Sequence, residues 1–332
     1  MAKGVVLSGI RATGRMHFGN FVGAVQHFVD YQESDNTCMY FVADQHTLTT
    51  LDNPDDLRTN LMEMVKDYLA AGLDPERSII YVQSSVPEIT ELCLYLGMLQ
   101  PLGDLMIIPT YKDLVRKFPD RVSHGLLTYP VLMAADILGP QATLVPVGED
   151  QVPNVELARD LARRFNNRFG ELFPIPEMMH EMVKVVGLDG AKMGKSDAGN
   201  AIDISSPIDD IRRRYLEHGI TDEQRKRRSD PGDPYNRCKS VYPVHELVTK
   251  GETETRTIAQ ACMSASIGCA ECKHKLVDSI AEVILPFQER RQALAGKDDY
   301  VREVLHEGGK KARAIIAATV AQVRDRIGII LY

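Results

Sequence analysis

The segment Thr13-Gly14-Arg15-Met16-His17-Phe18-Gly19-Asn20 follows an apolar run near the start of the chain, and Lys192-Met193-Gly194-Lys195-Ser196 lies far downstream. The first sets an imidazole and an amide at the start of a helix, beside a glycine that admits close approach. Helix-start N–H groups and a histidine in that position face an anion well. The second carries two ammonium groups and a hydroxyl on a glycine-containing loop, suited to phosphates whose charge grows as they leave. In this order and at this separation, the pair points to activation of a carboxylate by ATP.

Such groups need a frame. Gly4 to Ile10 reads as a buried strand, and Phe21, Val25, Phe28 and Val29 mark one stripe of a helix. Cys38 to Ala43 predicts a second strand, ending at Asp44-Gln45-His46. Leu57, Leu61, Val65, Tyr68 and Leu69 form a helical stripe that stops at Gly72. Ser78 to Gln83 predicts a third strand and Leu144 to Val147 a fourth. A helix follows with Val155, Ala158, Leu161, Ala162 and Phe165 inward. This alternation predicts an α/β fold, a doubly wound parallel Rossmann-like sheet, in which ligands gather beyond the C-terminal ends of strands. Ser8-Gly9, Asp44-Gln45-His46 and Gly148-Glu149-Asp150-Gln151 all stand at such ends and define one shared crevice.

From about Ile204 the pattern turns helical. Ser206-Pro207-Ile208-Asp209 reads as a helix start with Ser206 as the cap. Ala312, Ile315, Ile316, Val320, Val323 and Ile327 share one apolar face. The expected organisation is a sheet domain over 1–200 with the lysine loop at its end, a second, all-helical domain over 201–308, and a C-terminal helix over 309–332 packing back on the first.

The chain has 332 residues, 44% hydrophobic and 26% charged, which fits a globular protein of two domains. Its start reads directly into a strand with no signal peptide, and no apolar run would cross a bilayer, so a cytoplasmic protein without membrane contact is expected. A net charge of −7 argues against a protein that coats nucleic acid generally. The basic residues from Arg212 to Arg228, including Arg225, Lys226, Arg227 and Arg228, form either a solvated face or a local site for an RNA backbone. Of the six cysteines, Cys38 and Cys93 stand alone in apolar surroundings and read as core residues. Cys238, Cys262, Cys269 and Cys272 form a C-x23-C-x6-C-x2-C pattern able to surround a metal centre, and spacing alone leaves zinc and a [4Fe–4S] cluster both open. Asp136 interrupts the apolar run Val131 to Leu138, where a carboxylate is costly without a partner.

The two signatures, with Val42-Ala43-Asp44-Gln45-His46, Tyr129-Pro130-Val131-Leu132-Met133-Ala134-Ala135-Asp136-Ile137-Leu138, Val145-Pro146-Val147-Gly148-Glu149-Asp150-Gln151 and Lys311-Ala312-Arg313, resemble the bacterial-type tryptophanyl-tRNA synthetases, a class I family. The resemblance spans nearly the whole length. It implies a ligase that uses ATP and Mg2+ to make an aminoacyl-adenylate from L-tryptophan and passes the acyl group to tRNA(Trp). It makes His17, Asn20, Lys192, Lys195 and Ser196 the catalytic set, with Gly194 departing from the family's central serine. Arg11, Thr13, Gly19, Asn20, Gly148, Asp150, Lys192 and Lys195 would bind ATP. Leu7, Gly9, Tyr129, Met133, Asp136 and Gln151 would bind tryptophan, with Asp136 accepting from the indole N–H; by chemistry alone it could accept equally from the phenol of tyrosine.

A subset of the family carries a [4Fe–4S] cluster on cysteines spaced nearly as here, which favours the cluster over zinc. The helical domain would read the anticodon, with Arg225 to Arg228 at its rim. The family is homodimeric, and the apolar stretch Leu92 to Leu102 would serve as a core helix or a dimer surface.

Overall fold

In a computed structural model that describes residues 4–179, 183–194 and 199–330, the apolar runs pair into one parallel sheet. Its strands are β1 (Val5–Ile10), β2 (Thr37–Val42), β3 (Ser78–Val82), β4 (Leu144–Pro146) and β5 (Glu177–Met179), in the order β3-β2-β1-β4-β5. β1 and β2 run in register from Val5 opposite Thr37 to Ile10 opposite Val42. On its other side β1 meets β4 through Val6 and Leu144, so the direction of strand progression reverses between β1 and β4. The first four strands lie where the sequence places them, within a residue or so. β5 is three residues long and has no apolar run of its own, so the sequence pattern does not reveal it.

Alternation along the strands divides the core between two faces. Val6, Cys38, Tyr40 and Val42 pack on one side with Phe28, Val65 and Tyr68. Leu7, Met39 and Phe41 pack on the other with Ala134, Ile137, Leu161 and Phe165. A sheet covered on both faces needs apolar residues at successive positions, the pattern seen in β1 and β2.

The connecting helices follow in chain order. α1 (Phe18–Asn20) passes through one π turn (Phe21–Val25) into α2 (Gln26–Gln32). After them come α3 (Asp44–Thr47), α4 (Pro54–Ala71), α5 (Glu88–Gly97), α6 (Leu102–Ile107), α7 (Pro109–Lys117), α8 (His124–Leu138) and α9 (Val152–Phe169). The later part is helical: α10 (Ile208–His218), α11 (Val241–Val248), α12 (Glu252–Met263), α13 (Cys269–Ala293) and α14 (Asp298–Ile327). Pro207, not Ser206, occupies the cap of α10, and no side chain caps it.

α14 begins well before residue 309 and lays Ala312, Ile316, Val320 and Val323 into the same core as Leu7 and Phe41. Its approach to β3 requires glycine, since a Cβ on Gly308 would stand 1.8 Å from the Ile80 carbonyl oxygen. Arg313 pairs with Glu88 at 2.9 Å, and Arg324 with Glu91, tying α14 to α5. The apolar stretch of α5 and α6 splits between two roles. Leu92 and Leu96 are buried, while Leu94, Met98, Leu102, Met106 and Ile107 are more than half exposed. No helix among the described residues is long and apolar enough to cross a membrane.

Candidate active site

Beyond Ile10 the chain turns over the sheet and enters α1 at His17. The His17 backbone is extended (φ −98°, ψ 163°), and its Nδ1 accepts from the Asn20 N–H at 3.2 Å. With Nδ1 accepting, Nε2 is the ring nitrogen left to donate. Asn20 Oδ1 is buried with no hydrogen-bond partner among the described residues. Gly19 is packed from two sides: a Cβ there would stand 3.0 Å from the His17 ring and 3.2 Å from Met193 Cβ. The Gly19 N–H faces Met193 Sδ at 3.2 Å. The two signatures, distant in sequence, are therefore in contact through a methionine that is 3% exposed.

The lysine loop is pinned on both sides of Met193. Its N–H donates to the Val185 carbonyl at 2.9 Å, and the buried Asn200 side chain donates to the Lys192 carbonyl at 3.1 Å. Lys192 Nζ pairs with Asp150 Oδ1 at 3.0 Å, both side chains being about half exposed. Burial pushes the Asp150 carboxyl up, but hydrogen bonds from Gln151 and Lys192 outweigh it and hold the group below the usual carboxylate range. Gln151 donates to Asp150 at 3.0 Å and accepts from Asn154 at 2.8 Å, in the turn directly after Gly148. Lys195 and Ser196 lie outside the described residues.

Asp136 is 1% exposed. His46 Nε2 stands 2.9 Å from its Oδ2, and Gln83 Nε2 donates to both oxygens at 2.9 Å. Burial raises the Asp136 carboxyl above its ordinary value, and His46 and Gln83 oppose the rise. The Tyr129 ring stands edge-on to His46 at 6.2 Å. Leu7 is buried, Met133 is half-buried, and Gly9 leaves room for the Phe41 ring, which a Cβ would approach to 2.7 Å. Arg11 is held against the turn after α3 by donating to Thr49 Oγ1 at 3.4 Å and to Thr50 Oγ1, and its Nε has no partner among the described residues. Thr13 is exposed on the turn between them.

These groups surround the C-terminal ends of β1, β2, β3 and β4, at the point where strand progression reverses. The family model of the tRNA synthetases class I (W and Y) matches residues 2–284. The tryptophan–tRNA ligase of Thermotoga maritima is 42% identical over 98% of this chain and 99% of its own length. That of Deinococcus radiodurans is 41% identical, with 98% of each chain covered. The chain belongs to the class I tRNA synthetases (W and Y). The crystal structure of Campylobacter jejuni tryptophanyl-tRNA synthetase, complexed with ADP and tryptophan, superposes with a TM-score of 0.84 at 34% identity, covering 98% of this chain and 99% of that one.

Gln83 and His46 both contact Asp136; the sequence places His46 at a strand-end crevice without naming this contact, and gives Gln83 no role beyond the end of a strand. Gln83 is a polar residue directly after an apolar strand, and that position is the signal that could have found it.

In the helical part, Cys238, Cys262, Cys269 and Cys272 line one small cavity with Asp222, Arg225 and Tyr242. No group of three or more His, Cys, Asp or Glu side chains among the described residues is arranged to hold a metal ion. The metal-centre expectation is thus met only in the gathering of the thiols. Arg225 turns inward: it donates to the carbonyls of Arg228 at 2.7 Å and Ile267 at 2.8 Å, and lies 3.8 Å from Cys262 Sγ and 4.0 Å from Cys269 Sγ. Lys226, Arg227 and Arg228 are the basic residues left at that surface.

Proposed function

We infer that the strand-end crevice performs both half-reactions of tryptophan charging. The chain is a tryptophan–tRNA ligase. A carboxylate oxygen of L-tryptophan attacks the α-phosphorus of ATP, the bond to the bridging oxygen breaks, and pyrophosphate leaves. The 2′-hydroxyl of the terminal ribose of tRNA(Trp) then attacks the acyl carbon and AMP departs. No enzyme nucleophile takes part. The protein aligns the reacting atoms and offsets charge on the phosphates.

The contact between Met193 and the His17 turn carries this reading, because it sets Lys192 beside the helix start that faces the triphosphate. His17 turns Nε2 to the crevice as a donor, and Asn20 Oδ1 and Arg11 Nε have no partner among the described residues. Mg2+ accompanies ATP in this family and would offset charge on its phosphates. The Lys192–Asp150 pair is exposed enough to contribute about 0–1 kcal/mol, so exchanging it for phosphate on Lys192 and a ribose hydroxyl on Asp150 costs little. Lys195 and Ser196 complete the loop by family resemblance. Asp136, oriented by His46 and Gln83, accepts from the indole N–H, while Leu7, Gly9 and Met133 frame the ring. Tyr129 and Gln151 hold the α-ammonium.

The four thiols share one cavity with Arg225 beside them, an all-sulfur donor set that suits a [4Fe–4S] cluster or a zinc ion alike, and the cysteine spacing resembling the cluster-bearing subset of the family is what favours the cluster. When bound, such a cluster would tie α12, α13 and the Cys238 loop together without redox chemistry. Lys226, Arg227 and Arg228 form the rim for the tRNA anticodon arm. The exposed apolar side chains of α5 and α6 are covered by a second copy of the chain. The enzyme works in the cytoplasm, where its tRNA substrate is used.

Charging of unfractionated tRNA with labelled tryptophan, with and without ATP, tests the function. ATP-dependent labelling at the 3′ end of one acceptor is expected. Labelling that ignores ATP, or none from folded protein, would defeat it.

A further inference from the structure

On the side of the His17 turn away from the strand ends, α4 and α13 meet through a cluster of charges. Asp67 is 6% exposed and divides its carboxylate between two elements. Its Oδ2 accepts from the Met16 N–H at 3.2 Å, and its Oδ1 from Arg291 Nε at 2.9 Å. Arg291 also donates to Glu63. Glu63 pairs with Lys66 at 3.1 Å, and Lys66 with Asp298, at the head of α14, at 2.8 Å. Beside them the Phe21 ring, in the π turn after α1, meets Phe287 of α13 at 5.1 Å. A cavity of about 330 Å³ opens between the two helices, lined by Arg15, Met16, Asp67, Phe287 and Arg291 among others.

The Met16 N–H belongs to the Arg15–Met16 peptide, one peptide unit before the one that leads into His17. Its one side-chain acceptor is thus a buried carboxylate whose other oxygen is held by the helical part of the molecule. If Arg291 moves with α13, Asp67 either follows it or stays behind as an uncompensated buried charge, which is strongly unfavourable. In either case the acceptor for Met16 shifts. The adjoining cavity leaves room for that movement, whereas a close-packed junction would not.

We infer that Asp67 and Arg291 are positioning residues, through which the seating of α13 on α4 sets the backbone in front of His17 and hence the affinity of that turn for nucleotide. This rests on the assignment of the turn to ATP. A displacement near 1 Å at a catalytic group changes rates by about a hundredfold, so a small change in seating has a measurable effect.

The test is ATP–pyrophosphate exchange on the full chain, comparing wild type with Asp67→Asn, Arg291→Met and the double variant, with thermal midpoints alongside. Asp67→Asn keeps an oxygen for Met16 but gives up the charge pair. Arg291→Met keeps the Asp67–Met16 bond but cuts the tie to α13. The KM for ATP should rise about tenfold in all three while the KM for tryptophan stays within about twofold, and the double should be no worse than the singles because each cuts the same link. An unchanged ATP KM in the folded variants would make the pair a structural tie only and overturn the inference. So would ATP and tryptophan KM values that rise together with a falling midpoint. If Arg291→Met fails to fold because it strands the Asp67 charge, the double variant, which removes that charge, carries the test. Absence of exchange in the wild type would instead defeat the assignment of the turn itself.

Discussion

The strand-end crevice and the thiol cavity are assembled in opposite ways. The crevice takes His17 from the turn after β1, His46 from after β2, Gln83 from after β3 and Asp150 from after β4, and each is already held by a protein partner. The thiol cavity takes its cysteines from the helical region, where burial pushes the Cys238 thiol up to about 11 and Cys272 to about 12, and raises Cys262 as well. The first is organised before its ligand arrives. The second holds buried thiols that would become thiolate ligands if a metal centre offset their charge. A rigid sheet can specify geometry in advance. A set of buried soft donors specifies a ligand's chemistry and leaves its geometry to the ligand.

The contrast breaks most visibly at His17. Replacing it with Asn keeps a cap for α1 but removes the Nε2 donor. The turnover of pyrophosphate exchange should fall about 10²- to 10³-fold with little change in thermal midpoint. A fall matched by unfolding would show that the residue only caps the helix.

Asp136→Asn comes next. Loss of a charge-assisted acceptor costs about 1.5–3 kcal/mol, so the KM for tryptophan should rise at least tenfold while that for ATP holds. The sign with pH follows from the same group. Because burial raises the Asp136 carboxyl, protonation removes the acceptor at a higher pH than for an ordinary aspartate. Tryptophan KM should therefore climb as pH falls through that raised value and level off above it. A pH profile unchanged in Asp136→Asn would assign the effect elsewhere.

In the helical part, Cys272→Ser should reduce tRNA charging about tenfold while exchange stays within about twofold, as expected if the thiol cavity supports tRNA binding rather than chemistry. Equal loss of both would erase the distinction between the two regions. The smallest effect belongs to the basic rim. Neutralising Lys226, Arg227 and Arg228 should flatten the salt dependence of tRNA affinity by about 0.7–0.9 in log–log slope for each phosphate that the rim no longer neutralises, and leave adenylate formation intact. An unchanged slope would remove the rim from the tRNA-binding surface.

The legible parts of the molecule are those with local causes. β1 to β4 are readable because each is an apolar run flanked by polar turns, and the His17 and Lys192 segments because their residue types are unusual for loops. β5 has no such run and exists by pairing with β4. Gln83 reads as the last residue of a strand, because its role depends on Asp136, which only the fold brings near. The π turn after α1 packs Phe21 against Phe287, and Arg225 turns inward to the Ile267 carbonyl, both distant in the chain; neither leaves a periodic trace.

The most direct measurement is ATP–pyrophosphate exchange with tryptophan, tyrosine and phenylalanine supplied separately and no tRNA present. Because the chain contains no tryptophan, binding of the amino acid can be followed in parallel by the only indole in the sample. Exchange with tryptophan alone is the predicted result. Exchange with tyrosine instead would leave the ATP turn standing but contradict the role given to Asp136, and no exchange with any of the three from folded protein would contradict the catalytic assignment of the crevice.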